Sequence, residues 1–136
     1  MNTITIQTEI SSSIEKVWAA WSNPDAVKEW NQASDDWYCP SAENDLKVGG
    51  KFNYLMSSKD NNSKFNFTGV YTEVIPFEKI AYTMDDGRKV ETKFVVKGNL
   101  VEVVETFEME NENSEEKQRE GWQAILNNFK NYVERN

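Results

Sequence analysis

The chain has 136 residues, 15 Lys and Arg against 23 Asp and Glu, no histidine, and a formal charge of −8. That balance disfavours nucleic acid and anionic membranes, whose phosphates attract basic surfaces. Without histidine there is no Ser-His-Asp or Cys-His catalysis and no histidine-ligated metal.

The length fits a single domain spanning residues 1–136. Cys39 is the lone cysteine, so no internal disulfide forms, which suits a reducing compartment and points to the cytoplasm. No segment approaches the roughly 18 apolar residues that a spanning helix needs, so no membrane insertion is expected.

In chain order, Ile4, Ile6, Thr8 and Ile10 alternate with polar neighbours, the period of a half-buried strand. Ser12-Ser13-Ile14-Glu15 follows as a capping-box pattern, with Ser12 at its start. Ile14, Val17, Trp18 and Trp21 then form one helical stripe, and Asn23-Pro24 opens a second short helix carrying Val27 and Trp30 inward. From Asn31 to Asp45 the chain is polar and reads as an irregular loop, a candidate lid.

Five strand segments come next, and their parity tests the turns between them. Gly98-Asn99 as a two-residue turn sets Phe94 opposite Val103 and Thr92 opposite Glu105. A three-residue loop, Asp85-Asp86-Gly87, sets Met84 opposite Arg88 and Tyr82 opposite Val90. With these turns the apolar sets share one face, whereas a one-residue slip would turn every side chain over. Near the C-terminus, Asn113 and Ser114 offer a cap. Trp122, Ile125, Leu126, Phe129 and Val133 form a long helical stripe that only the aromatic face of the sheet is large enough to bury.

This order of elements resembles the helix-grip fold of START-type lipid-binding domains and birch-pollen-allergen-like proteins. It is an α+β architecture in which a curved antiparallel sheet wraps a long C-terminal helix, with two short helices after the first strand. More narrowly, Ile14-Glu15-Lys16-Val17-Trp18, Leu46-Lys47-Val48-Gly49-Gly50-Lys51-Phe52, Gly69-Val70-Tyr71-Thr72-Glu73-Val74-Ile75-Pro76, Ile80-Ala81-Tyr82-Thr83 and Gly121-Trp122 resemble the family of the C-terminal domain of the co-chaperone that activates the heat-shock protein 90 ATPase. The resemblance implies an internal cavity, single-domain relatives that are typically bacterial, and a chaperone contact as one role.

The residues that converge on that interior are Trp30, Phe52, Tyr54, Phe67, Tyr71 and Tyr82, with Phe94, Phe107, Trp122, Leu126 and Phe129. Among them Glu105 shares parity with Val103 and Phe107, so a carboxylate is predicted to face the apolar side. The leading expectation is therefore a carrier, sensor or stress-related buffer whose partner is a small apolar molecule held by these residues. The alternatives are a co-chaperone-like interaction module, and an enzyme of cyclase, isomerase or hydrolase type using Glu105 with Tyr54, Tyr71 or Tyr82. No cofactor, metal or catalytic set is assigned, the chain is read as a non-enzyme, and a monomer or weak dimer is expected.

Overall fold

The computed structural model describes residues 2–136. β1 (Thr3–Ile10) leads into α1 (Ile14–Ser22) and α2 (Pro24–Trp30). The strands β2 (Trp37–Asn44), β3 (Lys51–Ser58), β4 (Lys64–Ile75), β5 (Lys79–Met84), β6 (Lys89–Lys97) and β7 (Leu100–Glu108) follow, and α3 (Glu115–Arg135) ends the chain. The seven strands form one antiparallel sheet in the order β1-β7-β6-β5-β4-β3-β2, which is the expected helix-grip architecture.

The predicted registers hold. Phe94 pairs with Val103, Thr92 with Glu105 and Tyr82 with Val90, and Gly87 takes φ +92°, a conformation that glycine reaches without Cβ strain. β1 returns across the whole chain to pair with β7, setting Ile6 opposite Glu105 and Ile4 opposite Phe107. Two side-chain rows therefore cross the concave face. One runs Ile6, Glu105, Thr92, Ile80; the other runs Ile4, Phe107, Val90, Tyr82, Tyr71.

Curvature has local causes. An extra residue at Thr72 shifts the β4–β5 register, and such bulges bend a strand. Gly69 lies under the Phe52 ring, where an added Cβ would sit 2.7 Å from a ring carbon, so the sheet turns over a position where only hydrogen fits.

Two readings shift and one narrows. The first helix is capped by Ser13, whose hydroxyl accepts from the Lys16 amide, one residue later than the capping-box pattern suggested. The last is capped by Ser114, with Glu115 and Glu116 in its first turn. The supposed loop 31–45 contains β2, paired with β3 on one side only and broken by a register shift at Cys39 and Pro40. An edge strand tolerates proline and polar residues that a central strand would not.

The other edge of the sheet is covered. α3 lies along β1, where Arg119 donates to the Thr5 carbonyl at 2.9 Å and Gln123 to the Gln7 carbonyl at 3.3 Å. The Ser11 amide donates to the Glu134 carboxylate at 2.9 Å. Phe129, fully buried, packs edge-on against Trp21 and Trp30 at 4.9 Å each, joining all three helices. Among the described residues no helix is long and apolar enough to cross a membrane.

Candidate functional site

A sheet this curved leaves space beside α3, because a helix about 10 Å wide does not fill the concavity. The space is a cavity of about 570 Å³. Its walls come from β3 (Phe52, Tyr54, Met56), β4 (Phe67, Tyr71), β5 (Ile80, Tyr82, Met84) and β7 (Glu105), with Trp21, Trp30, Trp122, Ile125 and Leu126 from the helices. Its mouth lies at one end of the meander. Exposed Phe65 and Asn66, the Asp85–Arg88 loop, and Asn113 and Lys117 at the start of α3 surround it.

Of the predicted site residues, Trp30, Phe52, Tyr54, Phe67, Tyr71, Tyr82, Glu105, Trp122 and Leu126 line this cavity. Phe94, Phe107 and Phe129 do not. Phe94 is held among Trp18 and Trp21, and Phe129 among Trp21 and Trp30. Phe107 lies behind Trp122, stacked at 4.1 Å. Strand parity sorts side chains to the concave side, but it does not say which of them another side chain will cover.

Glu105 is 5% exposed. Its one hydrogen bond comes from the Thr92 hydroxyl, at a long 3.4 Å. Burial pushes its carboxyl up to about 8, only partly opposed by that hydrogen bond. The Tyr82 hydroxyl is raised too, by burial first and by the nearby Glu105 charge second. Burial likewise raises Tyr54 and Tyr71, so the tyrosines lining the cavity are neutral phenols. Among the described residues Glu105 makes no hydrogen bond to a tyrosine, so the carboxylate–phenol pair required by the enzyme reading is not assembled.

The rim is polar and internally tied. Asp86 holds Arg88 through both the backbone amide and the guanidinium, the latter at 2.8 Å, and Arg88 is 16% exposed along its side chain. Asp85 accepts from the Thr68 hydroxyl. Gln118 was not singled out from sequence, because it is polar, although it lies four residues before Trp122 on the face of the stripe. It is buried and clamps the approach to α3, accepting from the Glu110 amide at 3.0 Å and donating to the Asn113 carbonyl at 2.8 Å. The helical period places Gln118 on the inner face, but its partners lie in a loop that tertiary structure positions. Among the described residues no group of His, Cys, Asp and Glu is arranged to hold a metal ion.

Residues 11–134 match the family described as Activator of Hsp90 ATPase homolog 1-like protein. The chain belongs to this family. The AHSA1-like protein from Aeromonas hydrophila, solved in solution, is 42% identical with a TM-score of 0.93, covering 98% of this chain and 93% of that one. A protein from Cytophaga hutchinsonii is 45% identical with a TM-score of 0.86, covering 99% and 94%. The Aha1 dimer from Colwellia psychrerythraea, 17% identical with a TM-score of 0.78 and 98% and 97% coverage, shares the fold. No curated protein matches the chain in sequence.

These relatives correct the expectation that the principal partner is a small apolar molecule. The AHSA1-like family is described by its effect on a protein, the Hsp90 ATPase, and not by a ligand or a reaction of its own. The reading as a non-enzyme stands with that description. The physical reason for the error is that a strongly bent sheet leaves an aromatic hollow whatever its partner. The cavity therefore marks the fold and does not identify an occupant.

Proposed function

We propose that this AHSA1-like chain is a cytoplasmic co-chaperone-like module that binds an Hsp90-type ATPase through the mouth end of its cavity. Membership of the family over residues 11–134 carries the reading. The mouth supports the choice of surface. Phe65 is 52% exposed and stands 5.8 Å from the half-buried Trp37, so two aromatics from adjacent hairpins meet at the rim of a concave site. Aromatic anchors beside a pocket and a polar rim are the usual anatomy of a protein-recognition surface. On this reading Trp30, Phe52, Tyr54, Phe67, Tyr71, Tyr82, Glu105, Trp122 and Leu126 form a recognition pocket behind the rim.

The test is titration of the chaperone of the same organism with this protein, following ATP hydrolysis and heat of binding. Saturable binding with a change in hydrolysis rate is expected, and Phe65→Asp should weaken binding by roughly tenfold or more, the scale of an interface anchor. Phe65 is exposed, so that substitution leaves the core untouched. Absence of binding by the wild-type protein would overturn the proposal.

A further inference from the structure

We infer that the cavity receives a lysine side chain of the protein partner, its alkyl stem against the aromatic walls and its ammonium on Glu105. The inference rests on the interaction-module reading and specifies what enters the pocket.

Glu105 is the starting point. A carboxylate offers about four acceptor sites, and here a single distant hydroxyl serves one of them. No Lys or Arg among the described residues pairs with it, because Arg88 is tied to Asp86 at the rim. A polar group so buried and so poorly partnered calls for a donor from outside. A neutral apolar occupant would leave it unserved, and an anion could be met only by its protonated form.

The walls favour a cation as well. Tyr82, Phe52, Phe67 and Trp122 present aromatic rings to the space, and ring faces attract an ammonium most strongly where water is excluded. At the rim, the carboxylates of Asp85, Asp86 and Glu110 outnumber the cations Arg88 and Lys117, on a chain of formal charge −8. Such a field draws positive groups inward.

Lysine fits better than arginine. Its ammonium is a compact point charge whose three rotatable N–H donors the Glu105 oxygens and a neighbouring hydroxyl serve, whereas a guanidinium is a broader, rigid planar fork. The cavity volume also leaves room for an apolar neighbour of that lysine.

The groups facing Glu105 are Thr92 on β6, Tyr82 on β5 and Ile6 on β1, while α3 presents Trp122 and Leu126, and the nearest rim charges are Arg88, Lys117 and the three carboxylates. In the protein alone the Glu105 carboxyl is held near 8 by burial. An arriving cation stabilises its ionised form, so entry expels a proton near neutral pH.

The probe is n-butylammonium, the lysine side chain cut from its backbone, with 1-butanol as the uncharged counterpart. Binding is read by NMR shifts of Trp122 and by calorimetry in two buffers of different ionisation heat. Butylammonium should bind with release of about one proton at pH 7, and should tighten by up to about tenfold per pH unit until Glu105 is ionised. Glu105→Gln should abolish the proton release and weaken butylammonium by roughly tenfold or more, while leaving butanol unchanged. A melting curve confirms that this variant is folded. Equal binding of butanol and butylammonium, or butylammonium binding indifferent to Glu105→Gln, overturns the pocket. The chaperone titration separates the two readings. If wild type and Glu105→Gln bind the chaperone equally, the lysine pocket falls and the module stands. If wild type binds butylammonium but not the chaperone, the module falls, and with it the assignment of the cation to that partner.

Discussion

Glu105 links strand parity to protonation. Its β7 neighbours Val103 and Phe107 face the core, so the pleat carries its carboxyl there as well, across from Thr92. Its folded value of about 8 lies above the ordinary 4.5, so the folded state holds a proton that the unfolded chain has already lost. The contribution of this group to stability is therefore largest below about 4.5, falls as pH rises toward about 8, and levels off above it. Between pH 6 and pH 9 the loss from this one group is on the order of 2–3 kcal/mol. Urea denaturation of wild type and Glu105→Gln at those two pH values checks this. The variant should lack that increment of pH dependence and be the more stable protein at the higher pH. Parallel pH profiles for the two proteins would show that Glu105 is not the group responsible. The inward direction of this residue was legible from parity alone. Its lack of a strong partner was not, because the sequence does not show that Arg88 would be held by Asp86 and that Lys117 would sit at the mouth.

At the scale of elements, what the sequence reveals depends on how one-sided each element's burial is. The strands β3 to β7 bury one face, so a register error would expose a row of aromatics, and the two hairpin loops could be deduced from it. β2 borders the sheet with a polar, proline-interrupted strand, and nothing in its pattern separates it from a loop. α3 is the opposite case, a stripe so apolar that its burial is required. Its outer residues Arg119 and Gln123 also occupy carbonyls along β1, blunting an edge open to pairing with other chains. The stripe divides into two parts. Trp122, Ile125 and Leu126 line the cavity, while Phe129 and Val133 belong to the packed core. Phe129→Ala should thus cost about 3–5 kcal/mol, the range for emptying a fully packed aromatic site. Val95→Ala, at an exposed position on β6, should change stability by less than about 0.5 kcal/mol. Equilibrium unfolding of both variants measures the contrast, and similar effects at the two sites would contradict the placement of the core.

For the whole molecule, the pairing of β1 with β7 joins Thr3–Ile10 to Val101–Glu108 across the helices and strands between them in sequence. Such closure makes β1, β7 and β6 one cooperative unit, sealed by α3, and most of the largest fully buried side chains lie there: Ile4, Ile10, Thr92, Val101, Val103, Phe107, Leu126 and Phe129, with Val17, Val27 and Ile80 outside it. At the far side β2 pairs with β3 as its one strand partner, rests on α2, and carries a break at Cys39 and Pro40. Local opening follows the least buried, least paired segments, so its free energy should fall across the sheet from β7 to β2. Hydrogen exchange of the native protein tests this. Amides of β1, β6, β7 and the second half of α3 should exchange only through global unfolding, at up to the full stability of a domain, roughly 5–15 kcal/mol. The amides of β2 should exchange well before them. Protection of β2 equal to that of β7 in the isolated protein would mean that a second copy covers the outer edge in solution. That protection would then fade on dilution, whereas protection belonging to the fold itself would not.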